Sequence, residues 1–403
     1  MVYGVQLRLT RRATPGTGNN GFWRLTRSTI ILLGMIFVTV VLRNEPPRDD
    51  SIVIPPSVSA VTAADPSTKT KVDEAPQTTA STTTLVEQST KHSHAEWERL
   101  AREEQAKFCE KINQDENLPQ NTMRVSLDTT RNGGTKYDMI IYHKSDVVSR
   151  RIRRSGAWDR AKTEEMIRLV KEYAAKHETA LSDLTFVDIG GNVGWFTLVM
   201  ASLGLNVITV EPMSFNLELL RRSLCLPENA ELAKRVVLHG KGVSNAETTC
   251  TVYSQPVNVG DGTLACGGAN PRAAHQQALK PRGQVQVFRV DDLIDGSMTE
   301  RKIVALKMDT EGHEALVVEG GKRLFLESHI PMIFTEFNPS WIKTRTNRDP
   351  FTFMHQFVDA GYSVRVEGNT TTKSSEEVMD ANTWAPSNAN EVILEYAPKA
   401  TVA

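Results

Sequence analysis

Residues 185–199 read TFVDIGGNVGWFTLV, and the order of residue types in them decides the fold. Phe186 to Ile189 is a short apolar run, Gly190-Gly191-Asn192-Val193-Gly194 is a glycine-rich turn, and the apolar segment from Trp195 onward has the character of a helix. Strand, tight turn and helix are therefore expected in that order. Glycines at such a turn let backbone approach a ligand, and the helix start presents unpaired N–H groups to it. A second apolar run, Asn206 to Val210, ends in Glu211-Pro212. That is about 20 residues past the turn, where nucleotide-binding folds set an acid on ribose hydroxyls. The two parts together point to a nucleoside-containing ligand. A purely structural turn with a solvated Glu211 is the competing reading.

A dinucleotide site would show G-x-G-x-x-G, but this turn reads Asp188-x-Gly190-x-Asn192-x-Gly194, with an acid at the strand's end and no third glycine in register. A carboxylate there repels pyrophosphate and suits a cationic amino-acid ligand. The string resembles motif I of class I methyltransferases, whose S-adenosylmethionine carries such an ammonium group. With VITVEP, FRVDDLI, ALKMDTEGHEALVVEGGKRLF and PMIFTEFNP, the chain is similar to the FkbM family of S-adenosylmethionine-dependent O-methyltransferases from roughly Ser126 to Tyr396. The resemblance implies a doubly wound α/β fold, a seven-stranded Rossmann-like sheet with an antiparallel last strand. It also implies a cofactor held by Asp188, Gly190, Asn192, Gly194 and Glu211, with Val243 and Ser244, after a third strand at Val236 to Leu238, against adenine.

The chemistry is expected at Ile303 to Glu314, IVALKMDTEGHE, where a buried strand delivers Asp309 at its carboxyl end, the ligand-bearing edge of such sheets. Methyl transfer needs an oxygen nucleophile in line with the methyl and help in losing its proton. Asp309 is the first choice for that base, Lys307 an electrostatic partner, Glu311 a positioning group and His313 an alternative base. Against these stand blander readings: Lys307 as the sheet's polar edge, Glu311 as a helix cap and His313 as solvated. No metal is assigned. Should one bind, the acids Asp309 and Glu336 with Asn338 are its ligands, as in catechol methyltransferases, although Asn338 can equally cap the turn at Pro339.

The 403 residues carry 47 basic and 48 acidic side chains, so no global field favours nucleic acid or a membrane surface. Local targeting is read at the front. Residues 1–27 are a basic cytosolic tail, and 28–42, STIILLGMIFVTVVL, are a short uncharged span read as a type II signal anchor. A cleaved signal peptide is the rival reading. Span length favours the endoplasmic reticulum or Golgi, with the rest of the chain lumenal. Residues 43–92 are rich in Pro, Thr and Ser and read as a disordered stem. Residues 93–150 hold an amphipathic helix with Ser93 as N-cap, then a hairpin through Asn132-Gly133-Gly134 leading into the core. Residues 151–397 are the methyltransferase-like domain.

Arg150, Arg151, Arg153 and Arg154 form a basic run, read as a solvated face ahead of a contact for an acidic substrate or a convertase site. The Gly-rich stretch Asn258 to Asn270 is left between substrate lid and disordered insertion. Cys109, Cys225, Cys250 and Cys266 lack zinc spacing; in an oxidising lumen they allow two disulfides, with Cys250 and Cys266 the favoured partners. Asn369-Thr370-Thr371 is an N-glycosylation sequon. The function expected is O-methylation of a carbohydrate or other hydroxyl-bearing substrate, best a glycan sugar. A noncatalytic glycan-binding module and a nicotinamide-dependent oxidoreductase are the alternatives.

Overall fold

The computed structural model describes residues 92–112, 117–266, 279–298, 301–384 and 390–397. The chain divides between Thr84 and Leu85, and every described residue belongs to the second unit. The expected tail, anchor and almost all of the stem lie outside the described residues. Among the described residues no helix is long and apolar enough to cross a membrane.

In chain order the elements are α1 (His94–Ile112), β1 (Thr122–Asp128), β2 (Lys136–Tyr142), α2 (Val147–Ser155), α3 (Arg160–Lys176), β3 (Leu184–Ile189), α4 (Trp195–Ser202), β4 (Asn206–Val210), α5 (Ser214–Leu224), α6 (Ala230–Ala233), β5 (Val236–His239), β6 (Gly242–Ser244), β7 (Thr248–Gln255), β8 (Asn258–Cys266) and β9 (Lys280–Arg289). There follow α7 (Val290–Leu293), β10 (Lys302–Met308), α8 (Glu314–Gly320), β11 (Met332–Phe337), α9 (Pro339–Thr346), α10 (Pro350–Asp359), β12 (Tyr362–Val366), α11 (Ser375–Met379) and β13 (Asn390–Tyr396).

The main sheet has the order β12-β13-β11-β10-β3-β4-β5. β3, β4, β5, β10 and β11 run parallel, and β13 is antiparallel to both neighbours. This α/β, methyltransferase-like mixed sheet agrees with the expectation. Strand periodicity sends Phe186, Val207 and Phe334 into a core with Met166, Leu198 and Leu220, and sends Val187, Ile208 and Ile333 into a second core with Val318, Phe353 and Phe357. Buried on both faces, the central strands are continuously apolar, as Phe186 to Ile189 is.

The hairpin of β1 and β2 forms as read, though its turn is a 3-10 segment, Thr130–Asn132, closed by Gly133 at φ 72°. Ser93 caps α1: its hydroxyl accepts from Glu96 N at 3.3 Å while Glu96 Oε2 accepts from Ser93 N at 2.8 Å. The run Arg150 to Arg154 forms the exposed face of α2.

One expectation is corrected. Residues Asn258 to Cys266 are neither lid nor insertion but β8, an ordered strand of a four-stranded sheet, β6-β9-β7-β8. β8 pairs antiparallel with β7, and Cys250 faces Cys266 in register. Those cysteines are bonded, as are Cys109 and Cys225, a pairing the sequence did not determine.

Candidate active site

The carboxyl ends of β3, β4 and β10 open onto a cavity of about 260 Å³. Gly190, Asn192, Glu211, Val243, Lys307, Asp309, Glu311 and His313 line it, so eight of the residues singled out from sequence converge there. Asp188, Gly194, Ser244, Glu336 and Asn338 do not line it.

Gly190 needs its freedom for a contact within the chain. It sits at φ 82°, and a Cβ there would lie 2.0 Å from the Asp309 carbonyl oxygen, so a side chain would drive β3 away from β10. Gly194, at φ 91°, is closed by Leu220 of α5, where a Cβ would lie 2.3 Å from Cδ1. It serves helix packing.

Asp188 is fully buried beneath the wall. Its Oδ2 accepts from the Thr197 hydroxyl at 2.7 Å, and its Oδ1 lies 3.7 Å from Lys307 Nζ. It therefore corrects the expectation of a carboxylate facing the ligand: its charge is spent on the chain's own lysine. Lys307, buried rather than at a polar edge, donates to the Gly190 carbonyl at 2.8 Å and lies 3.5 Å from Asp309 Oδ2. Burial alone disfavours its charge, but Asp309 and Asp188 outweigh that and hold it above the ordinary lysine range.

Glu211 faces the cavity. Its Oε2 accepts from Asn192 N at 2.6 Å and its Oε1 from Met213 N at 2.8 Å. Complete burial pushes its carboxyl up to about 7, those hydrogen bonds opposing. Val243 lines the cavity as expected, whereas Ser244 packs toward α8, its carbonyl against Gly320 and its hydroxyl 3.4 Å from Asn245 Oδ1.

The loop after β10 turns through Glu311 at φ 56°, a left-handed conformation costly for a non-glycine residue and characteristic of functional loops. Glu311 does not cap the next helix, whose N-cap, His313, makes no side-chain capping bond. Glu314 instead ties down the loop, its Oε1 accepting from Thr310 N at 2.9 Å and Gly312 N at 3.2 Å. Burial first, then the Asp261 carboxyl with which it shares a hydrogen bond, push Glu311 well above the carboxylate range. Burial, then Asp309, push Glu336 up to about 9. His313 is buried, not solvated, and burial followed by Arg345 brings its pKa down to about 4, leaving the ring neutral.

Carboxylate oxygens of Asp309, Glu311 and Glu336 lie within 4.8 Å of one another and could hold a cation. That differs from the expected set, because the Asn338 side chain caps α9, accepting from Trp341 N at 3.1 Å. Asp261, with Gly260 and Gly262, lines the cavity from β8 and was missed in the sequence. The Gly260 carbonyl accepts from Asn192 Nδ2 at 3.1 Å and Asn216 Nδ2 at 2.9 Å, fastening β8 over the glycine turn. Asp-Gly within a glycine-rich run carries no signal that separates it from a loop.

A mixed α/β sheet with a glycine turn after β3, a buried acid at the end of β4 and a carboxylate-rich loop after β10 defines a methyltransferase-like domain. Residues 188–364 match the family described as the methyltransferase FkbM domain, and this part of the chain belongs to that family. A search of curated proteins finds no match. Among solved structures, methyltransferase FkbM from Methylobacillus flagellatus KT is 17% identical, with 62% of this chain and 60% of that chain covered and a TM-score of 0.33. WbdD is 12% identical, covering 62% and 44% with a TM-score of 0.36. Magnesium protoporphyrin IX methyltransferase from Synechocystis PCC 6803, with bound SAM, is 12% identical, covering 62% and 89% with a TM-score of 0.29. The chain thus spans less than two thirds of the first two.

Proposed function

We propose that the protein is an S-adenosylmethionine-dependent O-methyltransferase acting on a sugar hydroxyl of a glycan in the secretory pathway, as a type II membrane protein of the Golgi or endoplasmic reticulum with its catalytic domain lumenal. The observation that carries the enzymatic reading is one cavity bounded by the glycine turn, the buried Glu211 carboxyl and Asp309. These residues fit the cofactor. Glu211 lines the cavity where a ribose diol needs an acceptor, Val243 gives an apolar surface for the base, and the carboxylates of the Asp309 loop suit a cationic centre. The cofactor supplies an electrophilic methyl group. Asp309, half-exposed at the strand's end, accepts the proton that the acceptor hydroxyl loses, and Lys307 fixes that carboxylate in place.

No metal is required on this reading. Lys307 beside Asp309 and Arg345 beside Glu311 already set positive charge against the carboxylates. A chelator is expected to leave transfer unchanged. The lumenal assignment is supported by the two disulfides, which persist in oxidising compartments, by the exposed sequon at Asn369 and by the apolar stretch 28–42 with its basic flank.

Purified protein incubated with labelled S-adenosylmethionine and a glycan panel is expected to label a carbohydrate. Calorimetric binding of the cofactor without transfer to any acceptor would favour the noncatalytic glycan-binding alternative. Binding of NAD in its place would favour an oxidoreductase.

A further inference from the structure

β8 lies between two cavities. Asn258 and the run Gly260 to Gly262 line the cavity just described, while Val259 lines a second depression of about 390 Å³. Met213 lines both, so the two adjoin. Two aromatic rings, Tyr142 and Phe215, stand in the second wall with centroids 5.3 Å apart and planes tilted by 48°. The Tyr142 hydroxyl is committed to Asn216 Oδ1 at 2.8 Å, which leaves ring carbon to the depression.

The charged groups of that wall are Lys144 and Arg282, and no carboxylate lines it. Arg282 is aimed by neutral acceptors: its Nε donates to Ser254 Oγ at 2.7 Å and its Nη2 to the Gln255 carbonyl at 3.3 Å. Lys144 is exposed and forms no ion pair among the described residues. Next to it the exposed Arg153 donates to the His143 carbonyl at 3.2 Å. Asp146, whose Oδ2 accepts from Ser149 N at 2.6 Å, and Glu218, paired with Arg222 at 3.0 Å, are not part of that wall. Aromatic surface with two cations that no carboxylate of the wall neutralises, beside the neutral polar residues Gln120, Asn121, Ser145 and Ser214, suits a sugar ring that bears an anion.

We propose that this depression is an acceptor subsite for an anionic sugar unit of the glycan, a uronate or a sulfate ester, adjoining the unit whose hydroxyl is methylated. The inference rests on the glycan-methylating reading and names its substrate class. Arg282 and Lys144 take the anion, and Phe215 takes the ring face.

The test is calorimetric binding to the full chain of oligogalacturonate, of a sulfated oligosaccharide of equal length and of a neutral maltooligosaccharide, each at two salt concentrations. The two anionic arms separate carboxylate from sulfate recognition. Either anionic probe is expected to bind more tightly than the neutral one and more weakly at high salt, and Lys144→Glu is expected to weaken it about tenfold. Cofactor affinity is the control, expected unchanged in Lys144→Glu because Lys144 lies outside the first cavity. Equal binding of neutral and anionic probes, or binding indifferent to Lys144→Glu, overturns the subsite. Because the readout needs no methyl transfer, Lys144-dependent binding without transfer to any acceptor would remove the enzymatic reading and leave the subsite standing.

Discussion

Lys307 stands on the central strand with its ammonium between the Gly190 carbonyl, Asp188 and Asp309, at 2.8, 3.7 and 3.5 Å. It ties the floor of the glycine turn to Asp309, the carboxylate proposed to receive the proton. Lys307→Met would leave Asp188 buried without its counter-charge, a loss of about 3–5 kcal/mol. Thermal denaturation is expected to show the drop, with transfer abolished. Asp309→Asn keeps shape and removes the proposed base, so transfer should fall by about 10²–10⁴ while calorimetric cofactor affinity stays within a few-fold. Unchanged turnover would remove Asp309 from the proton's path.

Glu211 predicts a pH signature with two opposite signs. With its carboxyl at about 7, the ionised form, proposed to accept ribose hydroxyls, grows from pH 6 to 8, and cofactor affinity should rise by up to about tenfold over that range. Folding runs the other way. A folded pKa raised above the ordinary 4.5 means that this group's contribution is full below 4.5 and is lost as pH rises through about 7, a loss of order 3 kcal/mol. Glu211→Gln should flatten both dependences relative to wild type. At this scale Gly190, Glu211 and Asp309 were legible because each ends a strand followed by a local turn. Asp188 was misplaced because the sequence does not say whether a strand-end carboxylate meets ligand or a lysine 119 positions away, Lys307. Asp261 was invisible because it reaches the site from another sheet.

Among the elements, the β7–β8 hairpin departs furthest from its sequence signature. Glycine is depleted in strands, so Gly260 and Gly262 made the stretch read as loop. The structure uses them for close approach: a Cβ at Gly260 would lie 2.4 Å from Asp146 Oδ1, and one at Gly262 would lie 3.2 Å from Met213 Sδ. The same hairpin supplies Asp261 and the Gly260 carbonyl to the cavity, and the Cys250–Cys266 bond closes its open end, the Cα atoms 4.3 Å apart. Opening that bond in the double variant Cys250→Ser, Cys266→Ser should loosen β8 over the glycine turn. Cofactor affinity is expected to fall several-fold, with the hairpin newly sensitive to limited proteolysis and the main sheet intact by circular dichroism. By contrast, β3, β4 and β10 were readable from apolar runs alone, since strands covered on both faces are apolar throughout.

Across the molecule, α1 lies outside the matched family region yet belongs to the folded unit. It packs beside β5, the edge strand of the main sheet, with Trp97 edge-on to Phe288 at 4.9 Å, Glu104 on Arg221 at 2.8 Å, Glu98 paired with Arg301, and Cys109 bonded to Cys225 at the end of α5. An uncovered edge is a template for pairing with another chain, so α1 serves as the edge's cover. Amphipathic spacing made the helix legible. Its docking place was not, because that is written in the partners Phe288, Arg301 and Cys225, far away in the chain. The bond closes a loop of 116 residues, for which loop-closure entropy gives at most about 5 kcal/mol. Cys109→Ser with Cys225→Ala should therefore lower the melting temperature by roughly 5–15 °C and increase concentration-dependent association, read by light scattering. Deleting residues 1–91 should do neither, because the strap stays whole. If the double variant melts as wild type does, the helix is held by its side-chain contacts alone and the disulfide adds nothing to the edge's protection.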